Sequence, residues 1–274
     1  MSIPYITLYN QIKIPMLGFG VFRTNPGKET QDCVLEALKA GYRHIDTAVI
    51  YQNEEDVGTA IAKSGIPRED IFLTTKLWND DMRNHRQFQA FEESLKKLGT
   101  DYIDLYLMHW PAGDITESWH VLEEIYKSGK VRAIGVSNFE QHHLEELLPS
   151  CNIVPMIDQM ECHPFLAKDS LRSFCKTLGI AFQAYSPLGG QGSPILKNPY
   201  IVELAKRYNK SEAQIVLRWH IQRDTVIMPK SIHPQRIRSN MELFDFELSD
   251  EDMQLICSLD CGQRFGADPD NFDF

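Results

Sequence analysis

The sequence predicts a single (β/α)₈ barrel domain over residues 1–274, preceded by a short β-hairpin and followed by a C-terminal helix and tail. Three observations predict it. Short apolar runs alternate with longer amphipathic segments along the chain, and glycines stand where several of those segments would end. No Ser/Gly-rich spacer or low-complexity stretch divides the 274 residues, a length usual for one such barrel.

In chain order, Ile6–Leu8, a turn at Asn10 and Lys13–Ile14 read as the hairpin. Eight runs read as strands: Met16–Phe19, His44–Asp46, Ile71–Thr75, Asp104–Met108, Val131–Val136, Pro155–Met160, Ile180–Ala184 and Thr225–Met228. Apolar strands each followed by a helix imply a parallel sheet covered by helices, and eight of them favour a closed barrel. The helical segments are Lys28–Ala40, Glu54–Lys63, His85–Leu98, Thr116–Ser128, Gln141–Leu148, Lys168–Leu178 and Ser211–Gln222. Gly41, Gly65, Gly99, Gly129 and Gly179 fall at helix ends, where a residue tolerant of left-handed backbone is favoured. Glu247–Phe274 reads as the added helix and tail.

Composition excludes several classes. A formal net charge of −10 opposes general binding to phosphate backbones or anionic lipid, so the expected partner is a small molecule, without nucleic acid or membrane. The N-terminal stretch is broken by prolines and polar residues and carries no secretory signal core. Six scattered cysteines without a CxxC pair read as reduced thiols. A cytoplasmic monomer is expected.

In a (β/α)₈ barrel the active site forms where the C-terminal ends of the strands converge, so the residue at each strand end carries weight. Here these are Asp46, Lys76, His109, Ser137 with Asn138, Gln159, Tyr185 with Ser186, and Lys230 with Ser231. Taken singly, an aspartate there is more often a helix cap, a lysine is usually solvated and a histidine is often a core residue. Three of them on adjacent strands, with Tyr51 five residues beyond Asp46, make a coherent proton-delivery group. Tyrosine titrates near 10, too high for efficient acid catalysis at neutral pH. An ammonium beside it is expected to lower that value, an aspartate to keep the ammonium charged, and a histidine to donate to a carbonyl oxygen.

Longer stretches around these residues resemble the aldo-keto reductase superfamily over essentially the whole chain. They are GYRHIDTAVIYQNEEDVG (Gly41–Gly58), KVRAIGVSNF (Lys130–Phe139) and MPKSIHPQRIRSNMEL (Met228–Leu243), with TTKLW, LYLMHWP, QMECHP and AYSPLG in order between them. The resemblance implies catalytic roles for Asp46, Tyr51, Lys76 and His109. It implies a nicotinamide stacked on Tyr185, with Ser137, Asn138 and Gln159 bonded to its carboxamide. Further cofactor contacts are implied at Gly20, Val21, Asp46, Ser186, Leu188, Lys230, Ser231, Arg236 and Asn240. Phe22, Trp78, His109 and Trp110 would line the substrate pocket. The tail CGQRFGADPDNFDF is similar to the short-loop members typified by diketogluconate reductases and protozoan prostaglandin F synthases. Two departures stand out: Ser239 replaces a glutamate that many members place against the adenine, and the loops PAGDIT and LGGQGSP are short.

No GxGxxG follows a strand and no Walker-type loop occurs, which opposes Rossmann and P-loop readings. Gly189, Gly190 and Gly192 form a Gly-rich turn that the resemblance places over a pyrophosphate. Lys230, Arg236 and Arg238 concentrate positive charge in an acidic chain and read as a site for the 2′-phosphate of NADPH, with a solvated basic loop as the alternative. No metal is expected, since no histidine or cysteine spacing matches a zinc site. The expected function is NADPH-dependent reduction of aldehydes or ketones. Two rivals remain, a barrel aldolase using Lys76 as a Schiff base and a cofactor-retaining regulatory protein.

Overall fold

The structure, a computed structural model, describes residues 3–190 and 192–274. Strands β1 (Tyr5–Thr7) and β2 (Lys13–Pro15) pair antiparallel, with Ile6 opposite Ile14. One sheet of eight parallel strands follows: β3 (Phe19–Gly20), β4 (His44–Asp46), β5 (Phe72–Leu77), β6 (Ile103–Met108), β7 (Val131–Ser137), β8 (Ile157–Glu161), β9 (Ala181–Tyr185) and β10 (Val226–Met228). Each pairs with its sequence neighbour, and the ends of the sheet nearly meet. Leu17 bridges Ile227, and the Ile227 N–H donates to the Met16 carbonyl at 2.9 Å. The first run therefore pairs as a strand only at Phe19–Gly20, because residues 16–18 touch β10 through a single bridge.

The sheet is buried on both faces. One cluster joins Leu105, Ala133, Ile157 and Val226 to Leu8 and Ile14, so the hairpin packs against the sheet's interior-facing residues. Complete burial of an aliphatic side chain such as Ile14 contributes about 1.5–3 kcal/mol, which gives this short hairpin a reason to dock. A larger cluster joins the other strand faces to the surrounding helices, among them Val34, Leu38, Phe91, Trp119 and Leu144.

Helices follow the predicted segments closely, as Lys28–Ala40, Glu54–Ser64, Ile115–Lys127, Gln141–Leu147, Asp169–Thr177 and Glu212–Gln222. Gly41, Gly65 and Gly99 cap three helices with left-handed backbone. The predicted helix His85–Leu98 is instead Gln87–Leu98, preceded by a separate helix Asn79–Arg83. His85 sits at φ 55°, which no continuous helix permits. Helices Pro199–Tyr208 and Pro234–Ser239 go beyond the sequence expectation, and both begin on a proline in the first turn. The terminal helix is Asp250–Cys257, and residues 258–274 run on as the tail.

Candidate active site

Asp46 closes β4 and Lys76 stands at the corresponding end of β5, so the two side chains meet. Lys76 Nζ donates to Asp46 Oδ1 at 2.6 Å and to the Thr47 carbonyl at 2.9 Å. Gln159 Nε2, from β8, donates to Asp46 Oδ2 at 2.8 Å. Both carboxylate oxygens are therefore engaged inside the barrel mouth, and Asp46 caps no helix. Lys76 is wholly shielded from solvent and Asp46 nearly so. The ammonium lies 5.3 Å from the centre of the Tyr51 ring.

Tyr51 ends the short turn Val49–Tyr51 and is half-buried. Its placement depends on Asn53, a buried residue outside the expected site. Asn53 Oδ1 accepts from Thr47 Oγ1 at 2.7 Å, while Nδ2 donates to the Val21 carbonyl at 3.0 Å. The amide thus ties the loop after β3 to the loop carrying Tyr51. The Tyr51 ring packs between Phe22, at 4.9 Å, and His109, at 5.7 Å. Asp46, Lys76, Tyr51 and His109 are brought together as the strand-end pattern anticipated.

The electrostatics differ from the sequence expectation. Burial pushes the Tyr51 phenol well above its ordinary value of 10.0, and the Asp46 charge pushes the same way. The expected lowering by Lys76 is absent, because desolvation by burial dominates. Burial lowers Lys76 itself, against the raising influence of Asp46. Burial, followed by the Lys76 charge, holds His109 well below 6.5, so its imidazole is neutral near pH 7. His109 Nδ1 is buried and has no hydrogen-bond partner among the described residues.

The ends of β7, β8 and β9 form a second polar group. Ser137 pairs in register with Gln159, and Ser137 Oγ donates to the Gln159 carbonyl at 2.9 Å. Asn138, at φ 64°, directs Nδ2 to the His109 carbonyl at 2.9 Å and accepts the Tyr185 hydroxyl at 2.7 Å. These bonds fix the half-buried Tyr185 ring beside the Asp46 group. Gly20 and Val21 are buried at the end of β3, while Ser186 and Leu188 are half-buried beyond β9.

Beyond β10, Lys230 donates to the Arg23 carbonyl at 3.1 Å, and Ser231 Oγ accepts the His233 N–H. Arg236 is exposed, and its guanidinium has no ion pair among the described residues. Arg238 is exposed and pairs with Glu36. Asn240 is buried. Gly189 and Gly190 take φ of 80° and 78°, as a tight turn requires, and Gln191 between Gly190 and Gly192 lies outside the described residues.

The aromatic wall is partly covered by the chain's own tail. Trp78 stacks on Phe274 at 5.8 Å with 9° between the rings, and lies 5.3 Å from His109. Trp110, only 7% exposed, packs against both Phe272 and Phe274 at 5.1 Å. Asn79 Nδ2 and Arg83 Nη2 donate to the Phe274 carbonyl at 3.0 and 2.9 Å. In the sequence, the alternating Phe272 and Phe274 are the signal for this packing.

Among the described residues, His142, His143 and Asp270 are a group close enough to share a metal ion. The tautomer opposes that use. His143 Nδ1 accepts the Glu140 N–H at 3.1 Å, which leaves the proton on Nε2, the atom facing Asp270.

With this geometry in place, comparison with known proteins is informative. The model described as the aldo/keto reductase family matches residues 16–260. The chain is 51% identical over 269 residues to the 9,11-endoperoxide prostaglandin H2 reductase of Trypanosoma cruzi, covering 97% of this chain and 95% of that one. It is 48% identical over 270 residues to the glyoxal reductase of Bacillus subtilis, covering 98% and 97% respectively. A crystal structure of an aldo-keto reductase from a Medee basin deep-sea metagenome library superposes with TM-score 0.95 at 45% identity. That match covers 98% of this chain and 100% of the other.

Proposed function

Because the chain belongs to the aldo/keto reductase family, we propose that it reduces aldehydes and ketones to alcohols with NADPH, using Tyr51 as proton donor. The observation that carries this reading is the Lys76 ammonium, buried between Asp46 and the Thr47 carbonyl beneath the Tyr51 ring. Lys76 is a poor Schiff-base nucleophile in this setting, because its nitrogen is shielded and hydrogen-bonded twice. Failure of borohydride to trap a carbonyl substrate on Lys76 is the expected result.

The residues present fit a nicotinamide dinucleotide. Tyr185 offers a partly exposed ring, Ser137, Asn138 and Gln159 offer amide-compatible polar groups, and Arg236 offers an exposed guanidinium. When bound, the cofactor supplies the hydride. The chain's own contribution is positioning and proton delivery. Tyr51 gives its phenolic proton to the carbonyl oxygen as that oxygen becomes negative. Asp46 and Lys76 hold a fixed charge pair beneath the phenol, and neutral His109 orients the oxygen. Phe22, Trp78 and Trp110 favour an apolar or aromatic group beside the carbonyl. A dicarbonyl, sugar-derived or prostaglandin endoperoxide substrate agrees with the names of the relatives and with the resemblance read from the tail. The test is a carbonyl panel followed by NADPH absorbance, with methylglyoxal, phenanthrenequinone, nitrobenzaldehyde and diketogluconate, and a prostaglandin endoperoxide alongside as a substrate reduced at an O–O bond. No NADPH consumption with any of them removes the reading.

The proposal extends to a single-domain, monomeric, cytoplasmic enzyme. Six unpaired cysteines support the compartment, and among the described residues no helix is long and apolar enough to cross a membrane. A net charge of −10 argues against a nucleic-acid partner.

Two expected results follow from the charges. His109 has its pKa pushed down, so it gains charge only on the acid side of the ordinary imidazole range. The reduction rate should therefore show no imidazole limb between about pH 6 and 8. A limb that disappears in His109→Gln would show that His109 titrates during turnover. For Arg236, charge-assisted hydrogen bonds are typically worth about 1.5–3 kcal/mol. Arg236→Ala should weaken NADPH binding by roughly 10- to 150-fold and leave NADH nearly unchanged. Fluorescence titration with both cofactors measures this, and equal losses would withdraw the phosphate assignment.

A further inference from the structure

We propose that Glu161 is a positioning residue for the substrate pocket: its buried carboxylate grips the start of the tail and so sets Phe272 and Phe274 against Trp78 and Trp110. The inference rests on the carbonyl-reductase reading of the mouth. Glu161 ends β8, two residues beyond Gln159, and is fully shielded from solvent. Its Oε1 accepts the Phe265 N–H at 2.7 Å and His163 Nε2 at 2.9 Å, and its Oε2 accepts the Gly266 N–H at 2.9 Å. Burial alone would raise the Glu161 carboxyl, yet these three hydrogen bonds outweigh it and hold the group below its ordinary value.

A buried carboxylate at the mouth of a barrel, unused by the proton-delivery group, needs a reason to be there. Uncompensated, it would be costly; compensated by backbone N–H groups of one segment, it fixes that segment. The approach is close. A Cβ on Gly266 would lie 2.8 Å from Glu161 Oε2 and 3.6 Å from the Tyr185 hydroxyl. The tail therefore starts against the Tyr185 side of the mouth. It ends on the opposite wall, where Asn79 and Arg83 hold the Phe274 carbonyl. Between these points Asp270 meets His142 at 3.0 Å, but both partners are more than half exposed, and such pairs contribute little. Arg264, at the start of the same tail, donates to Glu140 at 3.1 Å from a largely buried position, so Glu161 is the fully buried member of two shielded contacts there.

Glu161→Gln keeps the shape but turns one acceptor into a donor that must face an N–H. Gly266→Ala attacks the same contact from the tail side and leaves Glu161 intact, so the test survives if the first variant folds poorly. Phe274→Ala removes the ring that Glu161 is held to position. At saturating NADPH, each variant should raise KM for nitrobenzaldehyde roughly tenfold. KM for methylglyoxal, too small to need the tail rings, should change by less than about twofold. The double variant Glu161→Gln/Phe274→Ala should be no worse than either single one, because both act through the same ring.

A second readout is independent of turnover. Trp119 and Trp219 are fully buried and Trp110 nearly so, so acrylamide quenching reports mainly Trp78, and also Trp110 once the tail rings withdraw. Glu161→Gln and Gly266→Ala should increase quenching as Phe274→Ala does. Unchanged quenching, equal KM shifts for the two substrates, or multiplying losses in the double variant would each overturn the proposal. Absence of turnover in the wild-type protein with every carbonyl would instead remove the carbonyl-reductase reading, and quenching would still decide whether Glu161 holds the tail.

Discussion

Tyr51→Phe is expected to slow carbonyl reduction by about two to four orders of magnitude while fold and NADPH affinity persist. The substitution removes one oxygen and leaves the ring that packs against Phe22 and His109. The direction of the Tyr51 shift matters. Burial raises its pKa, so the phenol stays protonated through neutral pH, the form required for donating to a carbonyl oxygen. A raised pKa also makes the phenol a weaker acid, so the transfer depends on negative charge building on an oxygen held beside it. Loss of the phenol should accordingly fall on kcat and kcat/KM together. Steady-state rates with nitrobenzaldehyde, paired with an NADPH fluorescence titration, measure both quantities. A rate within about tenfold of wild type would take the acid role away from Tyr51.

Legibility in the sequence followed the kind of signal each residue leaves. The eight apolar runs and the glycine-capped helices were readable because burial on both sheet faces writes itself into short local stretches. Asp46, Lys76 and His109 were readable because polar residues ending such runs have one common destination. Helix Pro199–Tyr208 carried its Asn198 cap and a first-turn proline, a start signal that could have been used. Three features were less accessible. Asn53 acts through bonds to Val21 and Thr24, 32 and 29 residues away. Glu161 sits in QMECHP, where nothing local says that its partners are Phe265 and Gly266, 104 and 105 residues on. The Arg238–Glu36 pair spans 202 residues and leaves no local trace in the sequence. The sign of the Tyr51 shift was missed for a related reason: proximity to Lys76 could be inferred from strand ends, but the depth of burial could not.

Lys76→Met should lower turnover by about two to three orders of magnitude, and it separates chemistry from stability when paired with a second change. Removing the ammonium strands a nearly buried carboxylate whose remaining side-chain partner is Gln159. Breaking such a pair from one side typically costs about 3–5 kcal/mol, so the single variant is expected to melt earlier as well as react slowly. Asp46→Asn in the same chain removes the stranded charge. The double variant Asp46→Asn/Lys76→Met should recover most of the lost stability, since a neutral amide can still accept from Gln159 and no bare charge remains. Its turnover should stay low, because the fixed charge pair beneath Tyr51 is gone. Thermal melts and NADPH-linked rates on the wild type, the two single variants and the double variant complete the cycle. If turnover returns with stability in the double variant, Lys76 and Asp46 serve the fold alone, and the proton-delivery role assigned to them is wrong.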